Sequence, residues 1–172
     1  MRHFTFLVLL GLFIGTQAVN LTDLLEALNT TEKSWLTKRT YTYEQHPCVY
    51  VLKKELTETY YKFEQGYKKG SQAIQHMLHA KLGEDTDPWM EVISKPDQAK
   101  GIKYYLKFWN KEEKCGILKV HLSGKDHYEV HVWNSEVNNG NSECYKKYDE
   151  LRGESQSYQV YSSSCKSGAN RN

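Results

Sequence analysis

Apolar residues at Leu21, Leu24, Leu25 and Leu28 recur with helical spacing and stop at the polar run Asn29-Thr30-Thr31, which predicts one short amphipathic helix over 21–28. Beyond it the period shortens. β-rich runs separated by turn residues predict eight strands at 39–43, 48–58, 59–68, 72–82, 89–94, 102–109, 115–122 and 127–133. In the sixth, Ile102, Tyr104, Leu106 and Phe108 share a face expected to point inward, while Lys103, Tyr105 and Lys107 take the other. The fourth groups Ile74, His76, Leu78, Ala80 and Leu82 in the same way, and Ser123-Gly124-Lys125-Asp126 joins the last two strands as a hairpin. Consecutive strands on short links predict an up-and-down antiparallel sheet. With eight strands, closure removes the exposed edges and leaves an interior able to hold one small ligand. After the loop 134–141, helical spacing returns over 144–151 with Tyr148 and Leu151 on one side. An extended piece over 158–161 then leads to a Ser/Gly/Asn tail. The fold class read from this pattern is mainly β: an eight-stranded up-and-down antiparallel barrel with a short N-terminal helix and a C-terminal helix.

The start of the chain has a different character. Arg2 and His3, the apolar run Phe4 to Ile14 and the small-residue site around Ala18 have the layout of a signal peptide, residues 1–18. Residues 19–172 then form a single barrel domain, with 166–172 expected as a disordered tail. No other segment is apolar for long enough to span a bilayer, so the expected location is secreted, outside the membrane. The whole chain carries 23 Lys and Arg against 21 Asp and Glu, a net charge of +2, and removal of the leader with Arg2 reduces this to +1. Neither nucleic acid nor an anionic membrane is favoured as a partner, and the size and charge suit a monomer.

Four cysteines, Cys48, Cys115, Cys144 and Cys165, are irregularly spaced with no CxxC pair, which favours two disulfides over a zinc site. The sequons at Asn20 and Asn29 are candidate glycan acceptors, and Asn29 has an alternative role as the N-cap of a turn with Glu32. No nucleophile elbow, phosphate loop or HExxH helix occurs, so a non-enzyme without cofactors is expected. No metal site is expected either. On strands, His76 and His79 point to opposite faces, and His127 and His131 share a face but lie about 13 Å apart. The last strand carries two unlike faces. Tyr128, Val130 and Val132 form one, and His127, Glu129, His131 and Trp133 the other. If the mixed face lines the barrel it offers an acid, an imidazole and an indole to a polar or cationic small molecule; if it faces water, these residues are merely solvated. Alternation leaves that choice open.

Several runs bear a resemblance. Cys115-Gly116-Ile117-Leu118-Lys119-Val120, His131-Val132-Trp133, Cys144 with Tyr148 to Gly153, and Ser163-Ser164-Cys165 resemble the tick salivary lipocalins of the histamine-binding type. The opening Asp23 to Asn29, Trp35 and the strand of Cys48 fit the same family. The resemblance implies a barrel with flanking helices, secreted in tick saliva, that sequesters host mediators to evade host defence. It also implies that the first cysteine pairs with the last and the middle two with each other, giving Cys48–Cys165 and Cys115–Cys144.

The implied ligand set departs from the family's. Histamine binders of this type carry carboxylates at positions that match Gly116, His131 and Leu106 here, so one amine pocket is expected to be lost. A second amine site is expected from Glu91 or Glu44 beside Trp89 and Tyr41, with Trp89, Glu91 and Ile93 sharing a strand face; the alternative is a surface glutamate beside a rim tryptophan. An amine such as histamine or serotonin calls for Glu91 or Glu129 in the cavity with Trp89, Trp133 and Tyr104 around it. The candidate binding residues are therefore Tyr41, Trp89, Glu91, Tyr104, Leu106, Phe108, Glu129, His131 and Trp133. Leu106, Gly116 and His131 also admit a lipid cargo, a leukotriene, fatty acid or cholesterol-like sterol. A third expectation uses the outer surface to engage a host immune protein or cell.

Overall fold

The computed structural model describes residues 18–42, 46–95, 97 and 99–168. The expected leader up to Gln17, the candidate Glu44 and the last four residues of the expected tail lie outside them. Helix α1, Leu21–Leu28, begins at Asn20, whose side chain accepts from the Asp23 amide at 3.1 Å while Asp23 accepts from the Asn20 amide at 2.9 Å. This reciprocal capping box satisfies two orphan amides. Asn29 is therefore not an N-cap: it ends α1, and its side chain accepts from Lys53 Nζ at 2.6 Å. On protein free of glycans, Asn20→Ala is expected to lower stability by about 1 kcal/mol. Thr22→Ala, which removes only the sequon, should not, as denaturant titration would show.

Eight strands follow: β1 Ser34–Arg39, β2 Tyr50–Leu56, β3 Tyr60–Lys69, β4 Gln72–Glu84, β5 Pro88–Ile93, β6 Ile102–Asn110, β7 Cys115–Leu122 and β8 Lys125–Trp133. Each pairs antiparallel with the next, and β1 closes the barrel by pairing with β8 and, through Ser34 and Trp35, with β2. The up-and-down barrel is thus present, but its first strand lies at 34–39 and not at 39–43. The reason is burial on both sides, with only Lys38 of this strand not fully buried, so no polar positions mark a period of two. Helix α2, Ser142–Arg152, packs Cys144 and Tyr148 against the outer face of β7 and β8. A short β9, Tyr158–Gln159, pairs with β1, and Ser163–Gly168 follows it as a 3₁₀ turn. Residues 166–168, read from sequence as frayed tail, belong to that turn, and Lys166 Nζ donates to the Asn134 carbonyl at 2.8 Å.

Both disulfides have the pairing that the family resemblance implies. Cys48–Cys165 bridges positions 117 apart in sequence, and Cys115–Cys144 ties α2 to β7 across 29. Buried side chains separate into two main layers. One lies outside the wall, beneath α2 and the C-terminal segment, and includes Trp35, Ile117, Val130, Val132 and Tyr148. The other lies inside the barrel, with Leu24 of α1 at 0% exposure packed on Tyr61, Phe63, Met90, Leu106 and Leu118.

Candidate functional site

The last strand's two faces are now assigned. Val130 and Val132 lie in the outer layer under α2, so Glu129, His131 and Trp133 point into the lumen. The lumen has two compartments. The one beneath α1 is small, about 50 Å³, and is walled by Leu24, Leu28, Tyr61, Leu106, Trp109, Gly116, Leu118 and Trp133. Toward the other end a wider one of about 470 Å³ is walled by Leu36, Arg39, Tyr41, Tyr67, His76, Leu78, Val92, Tyr104 and Glu129. Val51, Phe63, Met90 and His131 border both and form a waist between them. The larger volume falls in the usual range of small-molecule sites, roughly 300–1,000 Å³.

The wide compartment contains a buried carboxylate. Glu129 is 5% exposed. One of its oxygens accepts from the Tyr41 hydroxyl and the other is 2.8 Å from His131 Nε2. Arg39, its register partner on β1, stacks its guanidinium 5.0 Å from the Tyr41 ring centre. Burial by itself would raise the Glu129 pKa, but the hydrogen bond and charge of His131, then Tyr41 and Arg39, outweigh it and hold the carboxyl below its ordinary 4.5. The Tyr41 phenol is pushed the other way, first by burial and then by the Glu129 charge, so it remains a donor. The result is an ionised oxygen pair held by protein donors in a water-poor wall, with aromatic rings nearby.

The small compartment has the opposite chemistry. Leu106, Gly116 and His131, the three positions where the resemblance led to the expectation of carboxylates, all line it. Gly116 sits opposite His131 in the β7–β8 register. A Cβ at Gly116 would meet its nearest neighbours, on Trp109 and Leu106, at 3.5 and 3.6 Å, which is ordinary van der Waals contact, so the glycine leaves room there for little more than a methyl group. Above it α1 is held by Trp109 Nε1 donating to Glu26 at 3.1 Å and Trp133 Nε1 donating to the Ala27 carbonyl at 3.1 Å.

Of the nine residues expected in the site, six line the lumen: Tyr41, Tyr104, Leu106, Glu129, His131 and Trp133. The structure corrects the other three. Trp89 and Glu91 point outward because Met90 and Val92 take the inner face of β5. Trp89 lies across Gly83, where any Cβ would come within 2.4 Å of its ring, and stacks under Lys103 at 4.0 Å. Glu91 accepts from the Gly101 amide at 3.0 Å. Phe108 is turned outward by a bulge between Leu106 and Phe108, and the same irregularity turns Trp109 inward. Sequence reasoning missed Trp109, Arg39, Phe63 and Met90. Nothing in the alternation marked Arg39, because the burial of β1 on both faces is seen only in the structure.

The sequence profile of the tick histamine binding protein family matches residues 16–167. The chain belongs to that family. Among solved structures, the serotonin complex of AM182 superposes with a TM-score of 0.66 at 21% identity, covering 83% of this chain and 91% of that one. Japanin from Rhipicephalus appendiculatus, bound to cholesterol, gives 0.58 at 11% identity, with 78% and 94% covered. A search of curated proteins found no match. The family and the fold are those of ligand-binding, lipocalin-like proteins.

Proposed function

We propose that this chain is a secreted tick salivary carrier that sequesters one small host inflammatory mediator, a biogenic amine such as histamine or serotonin, in the wide compartment with its ammonium on Glu129. The observation that carries this reading is the buried Glu129 carboxylate, held below its ordinary pKa on the wall of the compartment that Tyr41 and Tyr104 also line. A buried ammonium needs a paired anion, and aromatic faces add cation–π attraction. Two disulfides support an oxidising, extracellular setting, and the exposed Asn20 and Asn29 side chains are compatible with glycans. The reading involves no enzymatic step and no cofactor.

A lipid cargo is the second reading, and the small compartment favours it. Its Leu106, Gly116 and Trp133 lining would take an apolar tail passing the waist at Phe63 and Met90, with the polar end at Tyr41 and His131. Titration calorimetry with histamine and with serotonin on oxidised protein from a eukaryotic secretion host separates the two. One amine bound per chain supports the first reading. No heat with either amine, together with a co-purifying lipid in native mass spectrometry, overturns it in favour of the second.

A further inference from the structure

Outside the barrel, a cleft of about 560 Å³ lies between the β3–β4 hairpin, the segment before β1 and the C-terminal 3₁₀ turn. Its floor is aromatic. Trp35 and Tyr50 meet edge to face with centroids 5.5 Å apart, and Tyr50 lies flat over Gly66, where any Cβ would come within 2.3 Å of the ring. Tyr67 is the single residue it shares with the lumen, so the β2–β3–β4 wall separates the two spaces.

Three half-buried lysines border this floor. Lys33 Nζ stands 3.9 Å above the Tyr50 ring and 5.4 Å from Trp35. Lys68 Nζ donates to the Ser164 carbonyl at 3.3 Å, and Lys166 Nζ to the Asn134 carbonyl at 2.8 Å. These partners are neutral, so they orient the ammonium groups without cancelling their charge. Among the described residues none of the three lysines is in an ion pair. Two acids lie nearby: Glu32 also borders the cleft, with its carboxylate turned to the Ser135 amide at 2.6 Å, and Glu64 is paired with Lys54 at 3.0 Å and accepts from the Tyr50 hydroxyl at 2.8 Å. Burial holds the Lys33 ammonium below its ordinary pKa, with the Glu64 charge opposing it, as expected of a cation short of a close counter-ion.

We propose that this outer cleft is a second binding site, distinct from the lumen, for a small organic anion whose carboxylate or sulfonate meets the lysines while a flat apolar body covers the aromatic floor. The volume suits one such molecule, and half-buried cations facing neutral partners gain most from an added anion.

The test uses 8-anilinonaphthalene-1-sulfonate as probe and its uncharged analogue N-phenyl-1-naphthylamine as control, read by fluorescence titration. Lys33→Glu reverses one charge at a side chain whose ammonium makes no hydrogen bond among the described residues. It is expected to weaken the sulfonate about tenfold while leaving the neutral analogue and the calorimetric amine signal unchanged. Lys166→Gln should act in the same direction if Lys33→Glu fails to fold. Added salt should weaken the sulfonate alone. Sulfonate affinity indifferent to both substitutions, or lost in step with that of the neutral analogue, overturns the site. The amine result bears on the lumen and leaves this inference unaffected.

Discussion

Glu129→Gln should lower the affinity for histamine or serotonin by about 2–5 kcal/mol, roughly thirty- to four-thousandfold, because it removes the anion that a desolvated ammonium needs. The amide is nearly the same size and still accepts from Tyr41, so a large loss reads as electrostatic and not as a packing defect. Calorimetry against the unaltered protein measures it, and affinity within threefold of the original would remove Glu129 from the site. The same substitution should change acid stability in a defined window. Since the folded carboxyl lies below its ordinary 4.5, its contribution is complete above that value and is lost as pH falls through the lower folded value. Melting curves between about pH 3 and 6 should therefore be shallower in pH for Glu129→Gln than for the original. Loss of amine binding on mild acidification to just above 4.5 is not expected from Glu129, which is still ionised there.

Why Glu129 could be named beforehand, and Trp109 could not, follows from what periodicity can carry. Alternation in β8 separated Glu129, His131 and Trp133 from Tyr128, Val130 and Val132, but it gave both sets equal claim to the lumen. The choice is made by α2, whose Cys144 and Tyr148 cover the valine face. The same limit explains Trp89 and Glu91. Their strand alternates cleanly, yet both faces of β5 carry large side chains, and Gly83 on the neighbouring strand leaves the outer space that Trp89 fills. In β6 the pattern holds through Leu106 and then fails at the bulge, so extrapolating it placed Phe108 inside and left out Trp109. β1 was displaced because burial on both faces erases a period of two. The elements with one wet face, α1 and β4, were legible, α1 at its full length and β4 two residues short at its end, and β7, though buried on both faces over Cys115 to Leu118, was delimited by the turn residues on either side. The cysteine pairing came from likeness alone, since spacing admits other connectivities.

The disulfides should differ in weight. Removing Cys48–Cys165 with Cys48→Ser and Cys165→Ser releases a loop of 117 positions, for which chain entropy gives about 5 kcal/mol, against about 3.5 kcal/mol for the 29-position Cys115–Cys144 loop. Against a total stability on the order of 5–15 kcal/mol, the first loss brings a domain of this size close to unfolding at body temperature. Denaturant titration of the two double variants gives the order, and a larger loss from the shorter loop would show that native packing beneath α2 outweighs the loop term. The two bonds also act on different sites. Cys165 immediately precedes Lys166 and itself lines the outer cleft, whereas the lumen wall is held by the closed strand ladder from β1 to β8. At temperatures where the Cys48–Cys165 variant remains folded, its sulfonate binding should therefore weaken while amine binding is kept. The reverse order would mean that the C-terminal turn supports the lumen and not the cleft.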